Sequence, residues 1–89
     1  MEKICLRAGA HNPQAILRQV LEVTSHIQGS SGLTEANVYS HAVLDGDFAI
    51  SLLWDTDEPY HHGSPTGVGL AQALKKFGLI DHSTWIKKD

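Results

Sequence analysis

Apolar and polar residues alternate on both sides of Asp45-Gly46-Asp47, and Glu35 to Asp55 reads as a β-hairpin around which the rest of the chain can be laid out. Gly accepts positive φ without a Cβ clash, and Asp bonds its own backbone in tight turns, so this tripeptide carries the turn signal. Strand side chains point alternately to opposite faces, and the loop length therefore decides which residues share a face. An odd-length loop groups Val38, Ser40, Ala42, Phe48, Ile50, Leu52 and Trp54, leaving Asn37, Tyr39, His41, Val43, Ala49, Ser51, Leu53 and Asp55 opposite. A two-residue loop would set Asn37 and His41 among Phe48, Ile50 and Trp54, burying polar groups without evident partners. The odd loop is expected, with one core face and one mixed face.

The flanking segments add two helices and two strands. Lys3 to Ala8 is a short apolar run. Asn12-Pro13 marks a helix start, with Asn as N-cap and Pro in the first turn, and the helix is expected to run to about Gln28 before Gly29 ends it. Its apolar stripe is Ile16, Leu17, Val20, Leu21, Val23 and Ile27. After the hairpin, the polar stretch from Asp55 to Gly67 is a loop, and Ser64-Pro65 repeats the cap-then-proline signature. The second helix turns Leu70, Ala73, Leu74 and Phe77 inward and stops at Gly78, and Leu79 to Lys87 is a last strand. An internal echo supports this layout: Gly32-Leu33-Thr34-Glu35 aligns with Gly78-Leu79-Ile80-Asp81, and Ile4-Cys5-Leu6 with Ile50-Ser51-Leu52. Two β-α-β halves give the order β-α-β-β-α-β, whose natural closure is an α+β ferredoxin-like fold, a four-stranded antiparallel sheet with both helices on one face.

This order, at this length and with one bare sheet face, resembles the dimeric α+β barrel superfamily, which includes the antibiotic-biosynthesis-monooxygenase-like proteins. The resemblance covers the whole chain and is architectural. It implies that two bare sheet faces pack together, with ligand pockets between sheet and helices or inside the barrel. It also implies, as an alternative to simple binding, a cofactor-free or heme-dependent monooxygenase-like enzyme, so the cofactor stays undetermined. Other families share the topology. RNA-recognition domains stack bases on aromatics of the two central strands, where this chain offers Cys5, Arg7, Ala49, Ser51 and Leu53. Heavy-metal-associated domains carry a two-cysteine loop, which one cysteine cannot supply. Acylphosphatases pair an arginine in a glycine-rich loop with an asparagine, and Arg7 and Asn37 lack that loop. Amino-acid-binding regulatory ACT domains remain an alternative.

Composition narrows the function classes. Eighty-nine residues make one domain with a small core, which favours a partner surface, most simply a second copy. The net charge of -3 argues against nucleic acid as a partner. Lys75-Lys76 and Lys87-Lys88 are the basic pairs, on a helix and a tail. A single cysteine, Cys5, forms no disulfide within the chain and suits a reducing cytoplasm as a buried structural thiol. No stretch has the length of a signal peptide or a membrane span.

Six histidines are the unusual count, and they enter most of the candidate sites. Carried through the echo, the open face holds Cys5, Arg7, Asn37, Tyr39, His41, Ser51, Leu53, Asp55, Ser83 and Trp85. Arg7, Tyr39, His41 and Trp85 are the ligand-binding candidates. Arginine supplies a fixed cationic fork, histidine a donor or base, and the aromatic rings apolar walls with polar tips, which suits a small acidic or aromatic ligand. The plainer reading is dimer contact alone, with Arg7 paired to Asp55 of the same or the other chain, as in a structural or regulatory subunit. A second candidate is an anion site at His61, His62, Ser64 and Gly67, where free N-H groups of a helix start would point outward. Its plainer reading is a Ser cap followed by small residues for packing. Asp55, Asp57, Glu58, His61 and His62 have metal-ligand types but lack a spacing imposed by helix or strand, so a solvated loop and no metal is expected. His11 and His26 flank the first helix, and His82 is expected to cap or pack near the start of the last strand.

Overall fold

The computed structural model describes residues 1–9, 11–56 and 58–89. Strand β1 (Glu2–Arg7) is followed by helix α1 (Pro13–Ser25), the hairpin β2 (Leu33–Ser40) and β3 (Asp47–Trp54), helix α2 (Pro65–Leu74) and strand β4 (Leu79–Thr84). The sheet is antiparallel with order β2-β3-β1-β4, so the fold is the expected ferredoxin-like α+β arrangement. No helix among the described residues is long and apolar enough to cross a membrane.

The hairpin takes the odd loop. Val38 pairs with Ile50 and Ser40 with Phe48, which puts Phe48, Ile50 and Leu52 in the core together with Ile4 and Leu6. Trp54 packs against this core as expected. Ala42 does not, because β2 ends at Ser40 and Ala42 lies exposed in the loop. Gly46 is required by two constraints at once. Its φ is 86°, and its carbonyl accepts from the Ala8 N–H at 2.9 Å, while a Cβ there would drive into the Gly9 carbonyl.

Several boundaries and faces differ from expectation. Strand β1 starts one residue early, at Glu2. Asn12 occupies the N-cap position with φ 49° and ψ 57°, left-handed, and its side chain caps nothing. Helix α1 closes at Ser25, and the chain continues to Gly29 in tight turns, among them Ile27 N–H to Thr24 O at 3.1 Å. The same helix is rotated from its apolar stripe, so that Val20 and Thr24 are buried while Leu21 is 48% exposed. In α2 the inward alanine is Ala71, because Ala73 lies outside the Leu70, Ala71, Leu74 stripe. A turn of 3-10 helix (Lys75–Phe77) then leads to Gly78. Strand β4 ends at Thr84, one step before Trp85 exchanges bonds in both directions with Met1 at the sheet corner, at 2.7 and 2.8 Å.

Two glycines in α2 separate packing from propensity. A Cβ on Gly67 would enter the Glu2 carboxylate, whereas one on Gly69 meets nothing. Gly67→Ala should lower stability by roughly 1–3 kcal/mol through overpacking. Gly69→Ala should raise it by roughly 0.5–1 kcal/mol through helix propensity. Urea melts of the two variants are expected to move in opposite directions.

Candidate functional site

The sheet has two polar centres, one on each face. On the helix-covered face Glu2 alternates with Ile4 and Leu6, so its carboxylate points into the core, where it is 1% exposed. A buried carboxylate is tolerated only when its lone pairs are satisfied. Here Oε1 accepts from Trp54 Nε1 at 2.8 Å and from Ser64 Oγ at 2.8 Å. Oε2 accepts from the Ser64 backbone N–H at 2.9 Å and meets His82 Nε2 at 2.6 Å. Ser64 Oγ accepts in turn from the Gly67 N–H at 2.8 Å, making Ser64 the side-chain cap of α2. His82 therefore sits within β4 on the core face, bonded to Glu2, and not at the strand's start. The small residue at position 67, expected for helix packing, makes room for this carboxylate.

The helix start offered as an anion candidate thus faces a carboxylate of its own chain, in the orientation that a helix N-terminus favours. Ser64 and Gly67 turn inward, while His61 and His62 lie exposed in the preceding loop. Among the described residues no three His, Cys, Asp or Glu side chains are placed to hold a metal. Asp57, one of the metal-type side chains of that loop, lies outside the described residues.

The open face carries a cleft of about 520 Å³, a volume suited to a small molecule. Strand register explains it. One row across the sheet is Tyr39, Ala49, Cys5 and Asp81, with small side chains on the two central strands and larger ones at the edges. The neighbouring row is His41, Asp47, Arg7 and Leu79, joined at its edge by the His41 N–H to Asp47 O bond of 2.8 Å. Ala49 and Cys5 form the floor, and the second row makes an end wall. Cys5 is half-buried there and not fully enclosed.

The cleft brings together Arg7, Tyr39 and His41, three of the four ligand candidates. Trp85 does not line it. Its indole N–H donates to Ser83 Oγ at 2.9 Å, at the opposite end of the face. Within the chain Arg7 pairs with Asp47 and not with Asp55: Nε lies 3.6 Å from Oδ2, and the arginine side chain stays 73% exposed. Asp47 is the nearer carboxylate because it sits directly across the ladder from Arg7, whereas Asp55 falls beyond the end of β3. His41 Nδ1 accepts from the Val43 and Leu44 N–H groups at 3.0 and 2.9 Å. Lys3, Asp47 and Asp81 also line the cleft, and sequence reasoning had not singled them out. Asp47 and Asp81 share face parity with residues already assigned to the open side, which was the available signal.

Solved structures share this fold. A protein of Deinococcus radiodurans, named as a candidate antibiotic biosynthesis monooxygenase, matches with a TM-score of 0.72 at 16% identity, over 99% of this chain and 91% of that one. A mutant of SnoaB, a cofactor-independent oxygenase from Streptomyces nogalater, matches with a TM-score of 0.70 at 11% identity, over 99% and 92% of the two chains. Rv0793 from Mycobacterium tuberculosis gives 0.66 at 16% identity, over 99% and 94%. No protein-family model and no curated protein matches the sequence. The architectural resemblance to the monooxygenase-like α+β proteins is therefore shown, and at these identities the likeness is one of fold.

The cap gives a direct test of the buried network. Ser64→Ala removes both a helix cap and a donor to a buried carboxylate, so the expected loss is roughly 2–3 kcal/mol in urea melts, above an ordinary cap. Thr66→Ala, one turn position away, should be nearly silent.

Proposed function

We propose that the protein binds a small acidic or aromatic molecule in the open-face cleft, and that two copies pair through their sheets to cover it. The observation that carries this reading is the lining, in which the Arg7 fork, the Tyr39 ring and the His41 imidazole meet over a floor of small side chains. The loose 3.6 Å contact to Asp47 leaves the guanidinium free to take a ligand carboxylate. Pairing is supported by the apolar exposure of the same face, where Leu79 is 74%, Trp85 57%, Tyr39 55% and Leu53 43% exposed.

The monooxygenase-like alternative draws support from the oxygenase among the fold neighbours. It is the weaker reading, because Trp85 does not join Tyr39 and His41 in one cavity. A purely structural subunit would not need the cleft. An external anion at the start of α2 would rest on His61 and His62, since Ser64 is committed to Glu2.

Leu53→Glu places two like charges in the proposed interface and should shift the protein toward monomer in light scattering. A monomeric wild type would overturn the pairing. Arg7→Ala should abolish retention of a copurified acid, read by mass spectrometry, while the dimer and the ligand-free melting temperature stay nearly unchanged. A fall in both would instead make Arg7 a structural residue.

A further inference from the structure

His41 has two ring nitrogens, and among the described residues only one of them is bonded within the chain. Nδ1 accepts two backbone N–H groups, from Val43 at 3.0 Å and Leu44 at 2.9 Å, and so must carry its lone pair and no proton. In the neutral ring the proton then resides on Nε2, which has no hydrogen-bond partner among the described residues. Two donors on one acceptor fix the imidazole plane by the backbone of its own loop, so the ring reaches the cleft already oriented.

We propose that His41 is the specificity-determining donor of the cleft, and that with Asp47 it selects an aromatic acid bearing a ring hydroxyl. This rests on the binding reading above and names its ligand class. The hydroxyl oxygen accepts from His41 Nε2–H, and the hydroxyl hydrogen goes to Asp47, which stands beside His41 in the same row. A carboxylate on the ring meets Arg7 or Lys3, the two cations lining the cleft. The floor of Ala49 and Cys5, on strands about 4.8 Å apart, leaves a flat seat on which a single ring fits. Nδ1 is committed to the loop, so neutral His41 cannot serve as a base from that atom.

The substitution that separates the two jobs is His41→Asn. Its side-chain oxygen can accept from the N–H two residues on, as in an Asx-turn, and keeps the loop cap, but it has no counterpart of Nε2–H. Titration of the full chain with para-hydroxybenzoate and with benzoate is expected to show the hydroxy acid binding about tenfold more tightly, one good hydrogen bond's worth. In His41→Asn the two acids should bind equally, with the melting temperature held. Equal binding by the wild type, or a preference that survives in the variant, would overturn the role of His41 while leaving the cleft as a binding site. Failure of both acids to bind the wild type would overturn the aromatic-acid class itself. The nitrogen-15 spectrum of the imidazole in the ligand-free protein gives a readout independent of any ligand. At about pH 9, where an ordinary imidazole is neutral, it should show protonated Nε2 and bare Nδ1, and the reverse tautomer would remove the donor from the cleft.

Discussion

The Glu2 carboxylate is the constraint on which the arrangement of the other elements depends. It is buried, and both oxygens are filled by groups from three separate parts of the chain: the end of β3 through Trp54, the start of α2 through Ser64, and the middle of β4 through His82. An unpaired charge at that depth would be strongly destabilising, so the network tolerates little error in the position of any partner. Hydrophobic burial of Leu70, Ala71 and Leu74 supplies attraction between α2 and the sheet but would permit some sliding. Hydrogen bonds to one carboxylate do not. Glu2 thereby sets the axial position of α2 over the sheet, and the glycine at 67 follows from it.

That placement commits one face of the sheet to the helices and leaves the other bare. The open face is not a second core. Along its rows the central strands carry Ala49, Cys5, Ser51 and Lys3, too small or too polar to pack a layer, while the edges carry Tyr39 and Leu79. Relief of this kind produces a cleft whose end wall is completed by His41 at the start of the hairpin loop. The two polar centres are consequently independent, one satisfied internally and closed to solvent, the other with donors still unspent.

Much of this was legible in the alternation of side chains. The hairpin register, the core set of Phe48, Ile50 and Leu52, and the membership of Arg7, Tyr39 and His41 on one face all follow from parity, and parity survives small errors in strand ends. The echo between halves holds for the same reason: Ile4 and Ile50 face each other across the central ladder. It fails locally at Leu33, which lies across from Trp54 before a register shift and so takes the opposite face from its counterpart Leu79. Helices were less legible. Leu21 and Thr24 lie only about 60° apart around the helix, and which of them is buried depends on how α1 is rotated against the sheet, a property of packing that a stripe of apolar residues leaves underdetermined. The role of Glu2 was hidden for another reason. A carboxylate beside the first residue reads as solvated until Trp54, Ser64 and His82 are known to converge on it, although its parity with Ile4 and Leu6 was plain.

A fold shared with an oxygenase does not carry oxygenase chemistry with it, because the reaction belongs to side chains and not to the backbone path. The lining of the cleft can be read in those terms. Its donors are Arg7, Lys3, Tyr39 and the Nε2–H of His41, and its carboxylate acceptors are Asp47 and Asp81. His41 Nδ1 is occupied by the loop, and Asp47 leans toward Arg7. Holding an oxygen-rich ligand requires nothing beyond the groups already in place. Drawing a proton from that ligand would require a base, and the lining offers the carboxylates of Asp47 and Asp81 for that task, or a group brought across by a second copy. Any proton abstraction must pass through one of those carboxylates or through a group of the second copy.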